Sequence, residues 1–228
     1  LTSSDGDMRV AAGNTITLGG VTTNANVSLI AATGSISDAG SAFGGEDVIS
    51  SGLRMTAGTG IGTGADPIET KVGTVSARGT SGGVNLLESD GLVVGDTTAT
   101  VQRVNPDGSL TATVDAVQSD VRTTSGNGSV VLRTTAGSIT LDDGTGAADG
   151  VAVSADGSGD VLIQTLGAGT DITANADIVS VSGHIRLIAA QGIALTTNAD
   201  VTTGLTGALD LEAGTGSVLL STTSSVTS

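Results

Sequence analysis

The chain has 228 residues, with 8 Lys and Arg against 23 Asp and Glu, which gives a formal net charge of −15 at pH 7. This charge argues against nucleic acid and anionic membrane surfaces as partners. The absence of Cys excludes a disulfide framework and a cysteine metal site, while 2 Pro beside 36 Gly exclude collagen. The longest apolar runs have four residues, which is too short to cross a membrane.

One short motif recurs along the chain. It begins with Gly or another turn residue, continues with alternating apolar residues and a small residue, and reaches a second Gly and a second apolar stretch. The first apolar positions of the copies are residues 27, 53, 84, 110, 130, 161, 185 and 209, and the copy at 110 is the weakest. The seven steps from 27 to 209 have a mean of 26 residues. Such a period is typical of a solenoid.

The alternation within each copy predicts short strands. Apolar and polar residues alternate over four to six positions, as in the copy from Gly183 to Leu195. Val, Ile and Thr favour strands, and Gly supplies corners. Because units this short bury their apolar faces only by stacking, the sequence predicts an all-β fold. We expect one continuous parallel β-helix over residues 1–228, with about eight or nine coils stacked into a rod roughly 40 Å long. The pattern leaves the handedness open, and right-handed is the common form.

One segment departs from strand chemistry. Asp66, Pro67 and Glu69 have the order of an N-cap, a first helical residue and the last member of a capping box. We therefore predict one helical turn near residues 67–71, followed by a strand near residues 74–78. An extended loop is the alternative.

The outward positions of the strands predict two local features. Arg186 and Asp210 occupy equivalent positions in neighbouring copies, so we expect a surface ion pair between them. Glu88 falls where other copies have Ala or Thr, which predicts that its strand ends one residue early.

The repeat also carries a family resemblance. The pattern Gly-x-Ile-x-Leu-x-Ala-x-x-Gly-x-Ile and the run from Gly60 to Val75, with its Pro-Ile-Glu-Thr core, resemble the filamentous-haemagglutinin-like giant exoproteins of bacteria. The resemblance covers most of the chain. It implies right-handed β-helix repeats and an adhesin-type or structural stalk segment that is secreted or displayed on the cell surface.

A candidate calcium site lies in an acidic, Gly-rich stretch. Calcium takes six to eight oxygen ligands, and flexible Asp-rich loops supply them. The spacing of the acidic residues matches neither an EF-hand nor tandem Gly-Gly-x-Gly-x-Asp repeats, so a solvated acidic loop is the alternative. The candidate ligands are Asp142, Asp143, Asp149, Asp156 and Asp160.

The sequence contains few of the residues that a polysaccharide-degrading active site would need. Pectin-degrading enzymes share the β-helix architecture and use clustered carboxylates, a His and a basic residue. His184, Arg186 and the pair Asp142-Asp143 are the nearest equivalents, but adjacent Asp residues on a strand point to opposite faces. His184 follows Gly183 at a corner, where we expect it to be exposed. We predict no catalytic residue.

The sequence therefore predicts a structural element. We expect an extracellular or cell-surface rod, stalk or fibre that has no cofactor apart from the calcium candidate and does not insert into membranes. The terminal coils of a β-helix carry unpaired strand edges, so the chain itself is an expected partner, stacked end to end. Extracellular polysaccharide or a host surface is a further expected partner. A β-helix polysaccharide-degrading enzyme, or a calcium-dependent carbohydrate-binding segment, is the alternative function.

Overall fold

The computed structural model describes residues 1–40, 45–204 and 206–228. These residues form 25 β-strands, and no helix occurs among them. In chain order the strands are β1 (Met8–Ala12), β2 (Ile16–Leu18), β3 (Val21–Thr22), β4 (Asn26–Ala31), β5 (Ile36–Asp38), β6 (Val48–Ala57), β7 (Gly60–Ile61), β8 (Ile68–Gly79), β9 (Gly83–Glu88), β10 (Leu92–Val94), β11 (Thr100–Val104), β12 (Leu110–Val114), β13 (Val121–Thr123), β14 (Val130–Thr134), β15 (Ile139–Leu141), β16 (Val151–Ala155), β17 (Val161–Thr165), β18 (Ile172–Ala174), β19 (Asp177–Ser180), β20 (Ile185–Ala189), β21 (Ile193–Leu195), β22 (Val201–Thr203), β23 (Leu209–Ala213), β24 (Val218–Leu220) and β25 (Val226–Thr227).

The strands wind into a parallel β-helix, which confirms the predicted fold class. A first ladder joins β1, β4, β6, β8, β13, β16, β19, β22 and β25. A second joins β2, β5, β7, β9, β14, β17, β20 and β23. β6 and β8 are long strands that contribute to two sides of the β-helix. Their first residues form the third side together with β3 in the N-terminal half. In the C-terminal half the third side consists of β10, β15, β18, β21 and β24. The described residues thus make eight coils and the start of a ninth.

Columns of aliphatic side chains fill the interior of the β-helix. In the second ladder the register places Leu86, Leu132, Ile163 and Leu187 directly above one another, and each is at most 1% exposed. Burial of one such side chain stabilises the fold by about 1.5–3 kcal/mol. Because every coil adds the same columns, the core is continuous along the axis.

The repeat copies do not all lie on the same side of the β-helix. The copies that begin at residues 27 and 53 are in the first ladder, whereas those at 84, 130, 161, 185 and 209 are in the second. The motif describes any half-buried strand that ends in a Gly corner, so its spacing alone does not distinguish one side from another.

The weak copy at residue 110 is not a coil of the β-helix. β11 and β12 form an antiparallel hairpin instead, and the second ladder passes directly from Val84 to Val130. The turn between them is closed by a hydrogen bond from Asn105 N to Ser109 O of 2.9 Å, with Gly108 at a φ of 81°. The Asn-Pro-Asp-Gly sequence is a strong turn signal, and it outweighs the weak solenoid pattern there.

The predicted helical turn at residues 67–71 is wrong. Residues 68–79 form β8, which includes the predicted strand at 74–78, and Ile68, Thr70 and Val72 alternate inward with the period of a strand. β8 pairs with β6 on one side and β9 on the other. This two-sided pairing supplies more hydrogen bonds and burial than an isolated capping box.

Candidate functional site

Each of the five Asp residues predicted as calcium ligands takes part in a hydrogen bond or an ion pair with another residue of the protein. Asp142 Oδ1 accepts a hydrogen bond from Asn175 Nδ2 at 2.7 Å, and Asp143 Oδ2 accepts one from Gly150 N at 3.1 Å. Asp149 pairs with Arg122 at 3.1 Å.

The remaining two candidates connect neighbouring coils. Asp160 Oδ1 accepts a hydrogen bond from His184 N at 2.8 Å, while the backbone N of Asp156 donates to Thr123 Oγ1 at 2.9 Å. Within the described ranges, none of the five candidates belongs to a group of three acidic side chains close enough to share an ion. Calcium binding by them stays a prediction.

A different acidic group lies nearer the N-terminus. Asp38 ends β5, Asp47 directly precedes β6, and Glu69 is the second residue of β8, so two neighbouring coils place their carboxylates at one corner. One oxygen from each lies within 4.8 Å of the others. Asp47 is 5% exposed and its Oδ2 accepts a hydrogen bond from Glu69 N at 3.1 Å. The parallel pairing of β6 with β8 makes Asp47 and Glu69 neighbours, and the end of β5 places Asp38 beside them.

Burial and the neighbouring carboxylates control the charge of this group. Burial raises the pKa of Asp47 to about 8, and the hydrogen bond and negative charge of Asp38 add to the effect. Burial and the adjacent carboxylate of Asp38 therefore favour the protonated form of Asp47. In contrast, hydrogen bonds from its own backbone and from Ser89 lower the pKa of the more exposed Glu46.

A cavity of about 330 Å³ opens beside the three carboxylates. Its lining also includes Glu46, Leu87, Ser89 and Thr135, so oxygen atoms dominate its polar groups. Such a set has the hard oxygen ligands that divalent cations prefer. The sequence offered no signal for it, because the three acids come from unrelated segments.

Glu88 is a second buried acid, and the prediction that its strand ends early is wrong. Glu88 is the last residue of β9, faces inward and is fully buried. Its carboxylate accepts hydrogen bonds from Thr70 Oγ1 at 2.7 Å, from Val72 N at 3.1 Å and from Ser89 N at 3.1 Å. Burial raises its pKa to about 7. The corner tolerates Glu because nearby backbone N–H groups satisfy it.

The segment 95–120, here called the strap, folds back over the N-terminal coils. Asp115 of the strap forms an ion pair with Arg9 of β1 at 2.9 Å, and Arg54 Nε of β6 donates to Ala116 O at 3.2 Å. Gln118 Nε2 donates to Met55 O at 2.9 Å. The strap therefore fastens several coils together, a role that the sequence repeat did not reveal.

Cover by the strap explains why polar residues of the first ladder are buried. Ser28 and Ser76 point outward from β4 and β8 yet are completely buried. Ser76 Oγ accepts a hydrogen bond from Gln118 Nε2 at 3.1 Å and is bonded to Thr97 Oγ1. Both hydroxyls have a partner, as buried polar groups require: Ser76 has its partners in the strap, and Ser28 Oγ accepts a hydrogen bond from Arg54 Nη1 of β6 at 3.5 Å.

Two predictions for the outer surface are confirmed. Arg186 Nε lies 2.7 Å from Asp210 Oδ2, and the same guanidinium reaches Glu212 at 3.0 Å. His184 is exposed at the corner after Gly183. Its Nδ1 accepts a hydrogen bond from Ala208 N at 2.9 Å, so in this arrangement the ring links two coils.

Comparisons with known proteins give no family for this chain, so its function has to be argued from the geometry. No helix among the described residues is both long and apolar enough to span a membrane. A comparison of the chain with protein-family models, with curated proteins and with solved structures found no match.

Proposed function

We propose that the chain is a structural rod or stalk segment of a larger extracellular or cell-surface assembly. The observation that carries the proposal is the first ladder, in which one strand from each coil pairs with the equivalent strand of the next coil from β1 to β25. A load along the axis is shared among these coil-to-coil contacts, which repeat from one end to the other.

The interior supports the same role. Inward columns such as Leu132, Ile163 and Leu187 are completely buried and aliphatic. Stiffness follows from such packing, because a close-packed core transmits strain instead of yielding to it. The strap adds cross-links to the N-terminal coils through Asp115 and Gln118.

Location and family belong to the proposal as well. The resemblance of the repeat to filamentous-haemagglutinin-like exoproteins favours a secreted adhesin-type protein of which this chain is a stalk segment. The acidic surface, with a net charge of −15, is compatible with a soluble extracellular rod. In this proposal the segment holds other parts of the assembly apart and performs no chemistry of its own.

Mechanical pulling tests the proposal. Because the chain contains no Cys, the double variant Ser4→Cys and Ser228→Cys accepts handles at its two ends, both of which are exposed. We expect resistance to low force and then stepwise lengthening as coils detach. Small-angle X-ray scattering of dilute protein gives the rod length independently. A chain that extends smoothly at low force, or a compact isotropic particle, would overturn the proposal.

A further inference from the structure

We propose that the outer face of the strap is a docking surface for a second copy of this chain, and that two copies pair side by side through it. The surface, here called the strap face, consists of the side chains on one face of the hairpin of β11 and β12: Thr100, Gln102, Val104, Leu110, Ala112 and Val114. The inference adds a partner to the proposed rod and does not depend on its mechanical role.

The alternation along the strap directs the strap face away from the rod. Ala99 is completely buried and Asp115 pairs with Arg9 of the first ladder, whereas the adjacent Thr100 and Val114 are exposed. Thr100 and Val114 are register partners, and directly opposed residues of an antiparallel pair lie on the same face. Because this face points away from the axis, stacking of further coils along the axis leaves it uncovered.

Three large aliphatic side chains of the strap face are mainly open to solvent. Val104 is 68%, Leu110 62% and Val114 64% exposed. Val104 and Leu110 lie directly opposite each other, and Ala112 lies between Leu110 and Val114 on the same face. Scattered apolar residues are normal on a protein surface, whereas a cluster on one flat face marks an interaction site.

Charge points to a second copy as the occupant. The chain carries a net charge of −15, yet none of the six residues of the strap face is charged. A partner that is flat, aliphatic and uncharged fits this surface, and the strap face of another copy has that chemistry. The face has no aromatic residue on which a sugar ring could stack and no Lys or Arg to hold an anionic lipid surface.

The strap also keeps the acidic rods apart in such a pair. It lies on the outside of the first ladder, and packed sheets are about 10 Å apart. With two straps between them, the first ladders of the two rods are roughly 30 Å apart, which exceeds the screening length of about 8 Å at physiological salt. Charge on the rods therefore opposes this contact less than it opposes direct contact between their sides.

The hairpin turn favours an antiparallel arrangement of the two copies. Asp107 in the turn is exposed. A two-fold axis along the strands would place both Asp107 carboxylates at the same end of the interface, where like charges repel. A two-fold axis across the strands separates them, packs Leu110 of one copy against Val114 of the other and places Ala112 opposite its equivalent. Because two-fold symmetry closes the interface, the product is a dimer and not a filament.

The small size of the strap face predicts a weak contact. Two strands of five residues each cover about 17 Å by 10 Å, which is less than the roughly 800 Å² per partner of a standard interface. We therefore expect monomers in dilute solution and dimers at high protein concentration.

Sedimentation equilibrium up to about 1 mM protein tests the inference. The mass should rise from 21.8 kDa toward twice that value and no further. Val114→Lys should raise the dissociation constant about tenfold or more, because the dimer would bury two unpaired charges. Leu166→Lys is the matched control, since Leu166 is 50% exposed and lies outside the strap, and it should dimerise like the wild type. A monomer at every concentration, growth beyond a dimer, or equal weakening in both variants would refute strap-to-strap docking.

Cross-linking tests which face of the hairpin forms the contact. Ala112 and Thr111 are adjacent, exposed and on opposite faces of β12, and the chain contains no Cys. Oxidation of concentrated protein should link Ala112→Cys into dimers and leave Thr111→Cys monomeric. Equal linking of the two variants, or linking of Thr111→Cys alone, would contradict the assignment of the strap face.

Flotation with phosphatidylcholine vesicles tests a lipid surface as the other apolar occupant. We expect no binding, and binding by the wild type that Val114→Lys abolishes would overturn the choice of a second copy. If the chain behaves as a rod under force but never pairs, only this inference fails. If it is not a rod, the proposed function fails whatever the dimer does.

Discussion

Truncation of one core side chain provides a sharp test of the inward register. Leu187 is completely buried in β20, between Ile163 on one side and Leu211 on the other. Leu187→Ala removes aliphatic contacts with both neighbouring coils and leaves a cavity that the stacked ladders fill only in part. Leu→Ala changes in cores of this kind cost about 2–5 kcal/mol, and a site packed from two sides belongs in the middle of that range, at about 3 kcal/mol.

Urea denaturation followed by far-ultraviolet circular dichroism measures this loss. Leu166→Ala is the control, since Leu166 is 50% exposed, and surface substitutions usually change the free energy of unfolding by less than about 0.5 kcal/mol. Because solenoid coils interact only with their neighbours, hydrogen exchange should accelerate most in β17, β20 and β23. Equal losses in the two variants would show that Leu187 does not face the core.

Two further predictions concern the strap and the buried acids. Asp115→Ala should lower the free energy of unfolding by about 1–3 kcal/mol, because it leaves the partly buried Arg9 guanidinium without its partner. Limited proteolysis of this variant should cut within residues 95–120 before it cuts any coil. Cleavage there at the wild-type rate would argue against a fastening role. In the folded chain Asp47 and Glu88 have pKa values of about 8 and about 7. In the unfolded chain the same carboxyl groups lose their protons at lower pH, so the free energy of unfolding should fall as pH rises from about 4 to about 8. Glu88→Gln should flatten that fall in urea titrations at several pH values, and an unchanged slope would contradict its burial.

Local chemistry explains why the architecture was predictable from sequence. Period-two alternation around residues such as Leu132 and Ile163 is a property of each strand alone, and Gly at the corners is required by the backbone. These signals repeat in every coil, so they reinforce one another and predict a parallel β-helix. The ion pair between Arg186 and Asp210 follows from the same alternation, and the exposure of His184 follows from its position at the corner after Gly183.

Features that depend on distant segments were not predictable in this way. The helical turn expected after Asp66 has sound local signals, yet β8 forms because strands on both sides pair with it. From the sequence alone, Glu88 is expected to lie beyond the end of its strand. Its burial is tolerated because the neighbouring Thr70 hydroxyl and backbone N–H groups donate hydrogen bonds to it.

The fold class, the approximate coil number and the inward alternation within each strand could be predicted from the amino-acid sequence, because each is encoded within a few consecutive residues and then repeated. Three features became visible only in the folded chain: the side of the β-helix that each copy occupies, the strap at residues 95–120, and the meeting of Asp38, Asp47 and Glu69 at one corner. The physical reason is that these features arise from contacts between coils, and the pairing register that creates such contacts is a property of the whole stack.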